Sequence, residues 1–219
     1  PWCVTWCAGA ASRASALRRT APGYKTPHGV EFNPEKARAL LAQAGFPGGK
    51  GFPRLELMTT SREVQKTMAE AIQGMWKRHL GVHVDIRSCE WTAYKFAQNS
   101  MQYDFSSSSW SGDYLDPSSF LDLWSSASGN NNTGWSRPEY ERLLAESRAT
   151  GDQEKRMALL ARAEALMLSE SPVIPLYWAR RSYLKSPEVR GWHPLLLDNH
   201  LFEDISLGAP REQGKEAAP

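Results

Sequence analysis

Strand-like and helix-like segments alternate through the middle of the chain, and few folds are compatible with that order. The order is strand (residues 55–58), helix (64–80), strand (82–86), helix (91–101) and a further strand from Tyr103. Strands separated by helices are typical of parallel sheets whose faces are covered by those helices. The sequence therefore predicts an α/β fold with a mostly parallel sheet flanked by helices.

Local signals predict the ends of further elements. Asn33 followed by a proline starts a helix that Gly45 ends, and another helix is predicted from near Asp152. In that last helix Met157 and Met167 belong to an apolar stripe, so we expect them in the core and not around a cofactor. Two more helix starts are predicted by residue pairs with capping-box spacing: Thr60 with Glu63, and Ser136 with Glu139.

The composition argues against several classes of partner. The 219 residues carry a formal net charge of +2 and the basic residues are scattered, so no nucleic-acid partner is expected. No apolar run reaches the length of a membrane span. Cys3, Cys7 and Cys89 form an odd set, which supports neither a disulfide framework nor a metal site.

Signals for catalysis are weak. Asp104 and Asp113 lie on either side of a predicted strand. No third residue is evident that would shift the pKa of either carboxylate, as a catalytic pair requires. The histidines are scattered without the spacing of metal ligands or of a catalytic triad, and no Gly-x-Ser-x-Gly motif occurs. We therefore predict no enzyme, no catalytic residues, no metal and no cofactor.

The segment YDFSSSSWSGDYLDPSSFLDLW (residues 103–124) concentrates groups suited to binding a ligand. It begins as a strand, passes through a run of small serines to Trp110, and turns at a serine–glycine pair. Asp113 follows the turn beside Tyr114. Ligands of open parallel sheets bind at the carboxyl ends of strands, which is where this turn is predicted. Residue types alone favour a plain strand, turn and helix with a solvated Asp113.

The order W-S-G-D-Y-L-D-P-S-S-F in this segment resembles the extracytoplasmic oligopeptide- and dipeptide-binding proteins of ABC importers. In that family an aspartate of the motif receives the α-amino group of the ligand, and Asp113 occupies the matching position. Further stretches follow in the family's order: FNPEKARALLAQAG (32–45), MWKRHLGVHVD (75–85), residues 130–144 and IPLY (174–177). The resemblance spans residues 22–207 and covers only the carboxyl-terminal part of such a protein.

The resemblance, together with the segments that lack it, divides the chain into four predicted parts. Residues 22–177 would form a partial second lobe of the type II periplasmic-binding-protein fold, and residues 178–207 would return as strands toward a first lobe. Residues 208–219 are almost without apolar side chains and are expected to be a disordered tail. Residues 1–21 lack the resemblance and show neither clean helix nor strand periodicity, so we interpret them as an out-of-frame or junction segment.

The resemblance also implies a function: capture of oligopeptides between two lobes and delivery to the transmembrane permease subunits of an ABC importer. The amino-terminal lobe would come from sequence that this chain lacks. A protein of this kind is exported, so the full-length form is expected to be periplasmic or otherwise extracytoplasmic and membrane-associated. The expected ligand-binding residues are Asp113, Trp110, Ser111, Gly112, Tyr114 and Asn131.

Two alternatives stay open. Nine tryptophans suit stacking on sugar rings, so an oligosaccharide or other non-peptide ligand is one alternative, with Trp110, Trp124 and Trp135 as platforms. A truncated product without binding activity is the other. The sequence does not indicate which peptide length is preferred. A cation that binds the carboxyl terminus of the ligand would fix that length, but the residue three positions before Trp110 is the uncharged Ser107.

Overall fold

The structure is a computed structural model that describes residues 2–6, 13–14, 22–177, 183–195 and 200–208. The chain forms two compact units, residues 1–179 and residues 180–219. Most of the predicted junction segment lies outside the described residues, and so does the predicted tail apart from Gly208. None of the described helices is both long and apolar enough to cross a bilayer.

The first unit contains the strands of the predicted α/β region. In chain order its described strands are β1 (Trp2–Trp6), β2 (Arg13–Ala14), β3 (Val30–Glu31), β4 (Leu55–Thr60), β5 (Val84–Cys89) and β6 (Phe105–Ser109). The helices are α1 (Pro34–Gln43), α2 (Glu63–Leu80), α3 (Trp91–Asn99), α4 (Ser118–Leu121), α5 (Pro138–Ala149) and α6 (Gln153–Glu170). Short 3₁₀ helices cover Pro47–Gly49 and Asp122–Trp124.

The main sheet has the spatial order β1, β6, β4, β5, and every neighbouring pair in it is parallel. β4 pairs with β5 from Leu55 opposite Val84 to Thr60 opposite Cys89. Parallel neighbours need a crossover connection, and α2 and α3 supply it between β4 and β5 and between β5 and β6. The predicted α/β fold with a parallel sheet flanked by helices is confirmed.

The amino-terminal segment contributes a strand that the sequence does not predict. Trp2–Trp6 form β1, which runs parallel to β6 with Trp2 opposite Phe105 and Trp6 opposite Ser109. Arg13–Ala14 form β2, which pairs antiparallel with β3. Strands of a parallel sheet need no alternation of polar and apolar residues, so the lack of clean periodicity in residues 1–19 does not exclude a strand there.

The two faces of β4 pack in two different hydrophobic cores. Leu57 lies in a core with Ala69 and Ile72 of α2, whereas the next residue, Met58, packs with Tyr94 of α3. Successive side chains of a strand point to opposite faces of the sheet. This alternation explains how one strand anchors helices on both sides of the sheet.

A third core lies around α5 and α6. Met157 and Met167 are buried in it, which confirms the prediction that these methionines belong to the core. The turn before α1 is tied to the same core, because the buried Tyr24 hydroxyl donates a hydrogen bond of 2.5 Å to the buried carboxylate of Glu164. Burial and the nearby negative charge of Glu164 raise the pKa of Tyr24 far above its ordinary value, so this hydroxyl stays protonated.

Some predicted helix ends are correct and others are wrong. Asn33 caps α1, its Oδ1 accepting a first-turn N–H bond of 2.9 Å, and Gly81 ends α2 with a left-handed φ of 69°. The predicted capping boxes do not form. α2 and α5 begin after Arg62 and Arg137, whose side chains make no cap hydrogen bond, and Thr60 is still part of β4.

In the second unit β7 (Val189–Arg190) and β8 (Ser206–Leu207) pair antiparallel, with Val189 opposite Leu207. A 3₁₀ helix covers Phe202–Asp204 between them. Residues 178–182 and 196–199 lie outside the described residues. The prediction that residues 178–207 return toward a first lobe therefore stays a prediction.

Candidate ligand-binding site

A cavity of about 340 Å³ opens at the carboxyl ends of β4 and β6. Its walls combine the end of β6 with residues from α2, α3 and the loop after α4. The sequence predicts a ligand site at this edge of the sheet. The lining residues are Thr60, Arg62, Gln65, Trp91, Tyr94, Lys95, Gln98, Ser107, Ser108, Ser109, Trp110, Leu123, Trp124, Asn130 and Asn132.

A buried hydrogen-bond network holds α3 against β6 beneath the cavity. The Tyr94 hydroxyl donates to the carbonyl oxygen of Ser107 and lies 3.0 Å from Ser106 Oγ. Gln98 Nε2 donates to the Tyr94 hydroxyl at 3.1 Å and to Ser106 Oγ at 3.3 Å, and Lys95 Nζ donates to Gln98 Oε1 at 2.8 Å. Satisfied buried networks fix side-chain positions, so these polar groups are preorganised for a ligand.

Aromatic side chains form much of the remaining wall. Trp91 stacks on Tyr94, with ring centroids 5.9 Å apart and an angle of 18° between the planes. Trp110 Nε1 donates to the carbonyl oxygen of Ser119 at 3.0 Å, which fixes that indole. Trp91 is 57% exposed, so much of its surface is available to a ligand. The cavity thus offers flat apolar surface beside polar groups, as ligand pockets commonly do.

Two cations and an unpaired hydroxyl add to the polar lining. Arg62 lies just before α2 and Lys95 lies in α3, and no acidic residue is among the described residues that line the cavity. The Oγ1 atom of Thr60 is buried and has no hydrogen-bond partner in the structure. A hydroxyl can donate as well as accept, so Thr60 carries unused hydrogen-bonding capacity at the wall of the cavity.

Asp113 lies outside the cavity lining and is exposed. Its backbone N–H donates to Ser119 Oγ at 2.7 Å, while no described side chain pairs with its carboxylate. Because Asp113 is three residues from Trp110, which lines the cavity, the two Cα atoms are at most about 11 Å apart. The carboxylate is therefore free to accept a cation near the cavity.

Of the other predicted site residues, Trp110 lines the cavity, whereas Ser111 and Tyr114 are exposed outside its lining. Packing explains why a glycine occupies position 112: a Cβ atom there would lie 2.8 Å from Cε2 of Phe120. A larger side chain at Gly112 would displace the Phe120 ring. The roles of Ser111, Gly112 and Tyr114 in binding stay predictions.

Asn131 holds the loop after α4 together. Its Nδ2, with two N–H donors, lies within hydrogen-bond distance of three backbone carbonyl oxygens at the two ends of the loop, at 3.1, 3.2 and 2.9 Å. Its Oδ1 accepts hydrogen bonds from the backbone N–H and the hydroxyl of Thr133. The neighbours Asn130 and Asn132 line the cavity instead. Asn131 therefore positions the loop, and direct binding of a ligand by its side chain stays a prediction.

Asp116 anchors the start of α4. Its carboxylate accepts hydrogen bonds from the backbone and hydroxyl of Ser118 and forms an ion pair with Arg156 of α6. Burial favours the neutral acid, but the hydrogen bonds from Arg156 and Ser118 outweigh burial and lower the pKa of Asp116 to about 2. Asp116 is thus a structural residue beside the site.

Several lining residues were not predicted from the sequence. Arg62 and Gln65 lie just before α2 and in its first turn, close after the carboxyl end of β4. Ligands of open parallel sheets commonly bind at this position, so the topology could have indicated both residues. Trp91, Lys95 and Gln98 reach the cavity because α3 packs on β6, and no local signal in α3 reveals this. Among the described side chains, no group of three or more potential ligands is arranged to hold a metal ion.

The family model described as bacterial extracellular solute-binding proteins, family 5 Middle, matches residues 8–132. The chain belongs to this family. The match begins within residues 1–21, upstream of the point at which the resemblance in the sequence starts. It includes β3 to β6, the motif around Asp113 and every residue that lines the cavity.

Individual members of the family 5 solute-binding proteins resemble the chain over most of its length. The oligopeptide-binding protein OppA of Bacillus subtilis is 32% identical over 170 residues, which are 77% of this chain and 31% of the relative. The dipeptide-binding protein DppE of the same organism is 32% identical over 181 residues, covering 78% and 33%. The crystal structure of a periplasmic oligopeptide-binding protein from Borrelia burgdorferi superposes with a TM-score of 0.75 at 31% identity, covering 90% and 40%. The chain spans about a third of the length of the two Bacillus relatives.

Proposed function

We propose that this chain forms part of the second lobe of a solute-binding protein that captures oligopeptides and delivers them to the permease of an ABC importer. The observation that carries the proposal is the unpaired Asp113 beside a cavity at the carboxyl ends of parallel strands. Relatives named as oligopeptide- and dipeptide-binding proteins support a peptide ligand. Because the chain spans about a third of these relatives, a first lobe would complete the cleft.

In the complete protein Asp113 would bind the amino terminus of the peptide. An ammonium enclosed between two lobes loses its water and needs a nearby acceptor, preferably a carboxylate. The amides of Gln65, Asn130 and Asn132 line the cavity and can both donate and accept, which suits the N–H and C=O groups of a peptide backbone. Main-chain hydrogen bonds of this kind give affinity that depends little on the side chains of the ligand.

The proposed role is binding and delivery without catalysis, outside the cytoplasm. The matched family is extracellular, which supports a periplasmic or membrane-associated extracytoplasmic location for the complete protein. Closure of two lobes about hinge strands would bury the ligand, and the transmembrane permease subunits would recognise the closed form.

An oligosaccharide is the second candidate ligand, and the tryptophans in the lining favour it. Trp91, Trp110 and Trp124 surround the cavity together with amide side chains, which is a suitable arrangement for stacking on sugar rings. Trp135, which the sequence also suggests as a platform, instead donates to Glu170 at 2.8 Å and packs against Tyr140. The unpaired carboxylate of Asp113 favours a cationic peptide terminus over a neutral sugar.

Calorimetric titration of the complete protein that contains this chain tests the proposal. Tri- to pentapeptides and oligosaccharides of similar size would be titrated under the same conditions. We expect saturable heat with the peptides and none with the sugars. Saturable sugar binding without peptide binding would replace the peptide proposal by the second candidate. A complete protein that binds neither class would contradict both.

A further inference from the structure

The cavity carries charge of one sign only. Arg62 and Lys95 are the charged side chains among the described residues that line it. A cleft lined by one sign of charge focuses its field on the ligand, and apolar walls such as Trp91 and Trp110 strengthen this effect. The cavity is therefore electrostatically suited to a negatively charged group.

The ammonium group of Lys95 is held in place by the buried network. Lys95 Nζ donates to Gln98 Oε1 at 2.8 Å, and Gln98 is 3% exposed with its Nε2 fixed by the Tyr94 hydroxyl. An ammonium has three N–H donors, and Gln98 takes one of them. Because the side chain is already ordered, a ligand anion that binds the remaining donors loses less entropy in ordering Lys95.

Arg62 lacks a carboxylate partner among the described residues, in contrast to two arginines nearby, Arg54 just before β4 and Arg87 on β5. Arg54 pairs with Asp85 at 2.5 Å, and Arg87 pairs with Glu56 at 2.7 Å. The planar guanidinium binds a carboxylate with two parallel hydrogen bonds, which gives both affinity and orientation. Arg62 is thus free to bind a carboxylate that a ligand brings to the cavity.

The size of the cavity indicates more than a terminal carboxylate. The cavity volume is about 340 Å³, whereas a carboxylate of three non-hydrogen atoms is closer in size to a water molecule, whose share of liquid volume is ~30 Å³. The aromatic surfaces of Trp91 and Trp110 would contact the apolar part of a side chain that carries the charge. We infer that the cavity binds an acidic side chain of the ligand and that Arg62 and Lys95 determine this specificity. This inference rests on the proposed peptide-binding function.

Matched peptides test the inference on the complete protein that contains this chain. Alanine tripeptides with one glutamate would be compared with the same peptides carrying glutamine, each with a free and with an amidated carboxyl terminus. We expect the glutamate peptides to bind at least about tenfold more tightly. Arg62→Gln and Lys95→Gln should each reduce this preference, because each weakens the glutamate peptides more than the glutamine peptides. Arg62→Lys should restore part of it, and Lys77→Gln, at the far end of α2, should have no effect.

The outcomes separate this inference from the proposed function. Equal binding of glutamate and glutamine peptides would overturn the inference and leave peptide binding intact. If amidation of the carboxyl terminus, and not the exchange of glutamate for glutamine, removes the effect of Arg62→Gln, the cavity binds a terminal carboxylate and the inference is wrong. If no peptide binds at all, the proposed function fails and the inference fails with it. The comparison of glutamate and glutamine peptides on the unmutated protein shows whether an acidic side chain is preferred, even if a variant does not fold.

Discussion

Arg156 of α6 donates two hydrogen bonds to the carboxylate of Asp116 at the start of α4, at 2.6 and 2.8 Å. Both side chains are about one-fifth exposed, at 22% and 20%. The pair joins the segment that carries Asp113 to the core around α5 and α6. Because Asp116 lies three residues after Asp113, this ion pair helps to hold the proposed amine-binding residue in place.

We expect Asp116→Asn to lower the free energy of unfolding by about 1.5 to 3 kcal/mol at pH 7, since it removes hydrogen bonds to a charged group. The pKa of Asp116 is about 2 in the folded chain and 3.8 as its ordinary value. A lowered pKa stabilises the fold above the unfolded pKa, and this contribution disappears as the pH falls from about 4 towards 2. Denaturant unfolding of both proteins between pH 7 and pH 2.5 measures the difference.

The exposed pair Arg148 and Asp122 supplies the control for this experiment. Asp122→Asn should change the free energy of unfolding by no more than about 1 kcal/mol, because solvent screens exposed ion pairs. A difference between the unmutated chain and Asp116→Asn that stays constant down to pH 2.5 would show that ionisation of Asp116 does not stabilise the fold.

Asn131→Ala should destabilise the chain by about 1 to 3 kcal/mol, because it removes the amide that satisfies several buried or partly buried groups of the loop. Asn130→Ala is the matched control: its side chain is exposed, so a change of no more than about 0.5 kcal/mol is expected. Chemical denaturation of the two variants measures the contrast. Equal effects would mean that Asn131 does not anchor the loop.

The sheet could be predicted from the sequence because its signals are local. Alternating apolar residues at Val82, Val84 and Ile86 and the apolar stripe of α2 follow from backbone geometry alone. The predicted first residues of the strands were less accurate than the predicted order of strands and helices. The strands begin at Val84 and Phe105, two residues later than the patterns at Val82 and Tyr103 indicate. β1 was missed although Trp2, Val4 and Trp6 occupy alternate positions, because a run of five residues is a weak signal for a strand without its pairing partner β6.

The cavity could be predicted only in part. Its position at the carboxyl ends of the strands follows from the topology, and Trp110 follows from the motif. The contribution of Lys95 depends on how α3 packs on β6, which no pattern within α3 specifies. The partnership of Asp116 with Arg156 joins residues 40 positions apart, so a reading of local signals identifies Asp116 as a helix start and not as half of an ion pair.

The isolated 219-residue chain should bind peptides weakly or not at all, because a cleft closed on one side leaves the ligand in contact with water. Hydrogen bonds and ion pairs that stay exposed contribute little to affinity. Calorimetry with mixed tri- to pentapeptides should give no saturable heat. A micromolar dissociation constant for this chain alone would contradict the view that two lobes are required.

The proposed amine-binding role of Asp113 is tested most directly by comparing free and amino-terminally acetylated peptides on the complete protein and its Asp113→Asn variant. Removing one partner of a desolvated charge pair costs about 2 to 5 kcal/mol, or roughly thirtyfold to several thousandfold in affinity. Asp113→Asn should therefore nearly abolish binding of free peptides, while Asp116→Asn should mainly lower stability. Acetylated peptides should bind poorly to the unmutated protein and lose little more in the variant. Equal binding of free and acetylated peptides by the unmutated protein would contradict this account and favour a non-peptide ligand.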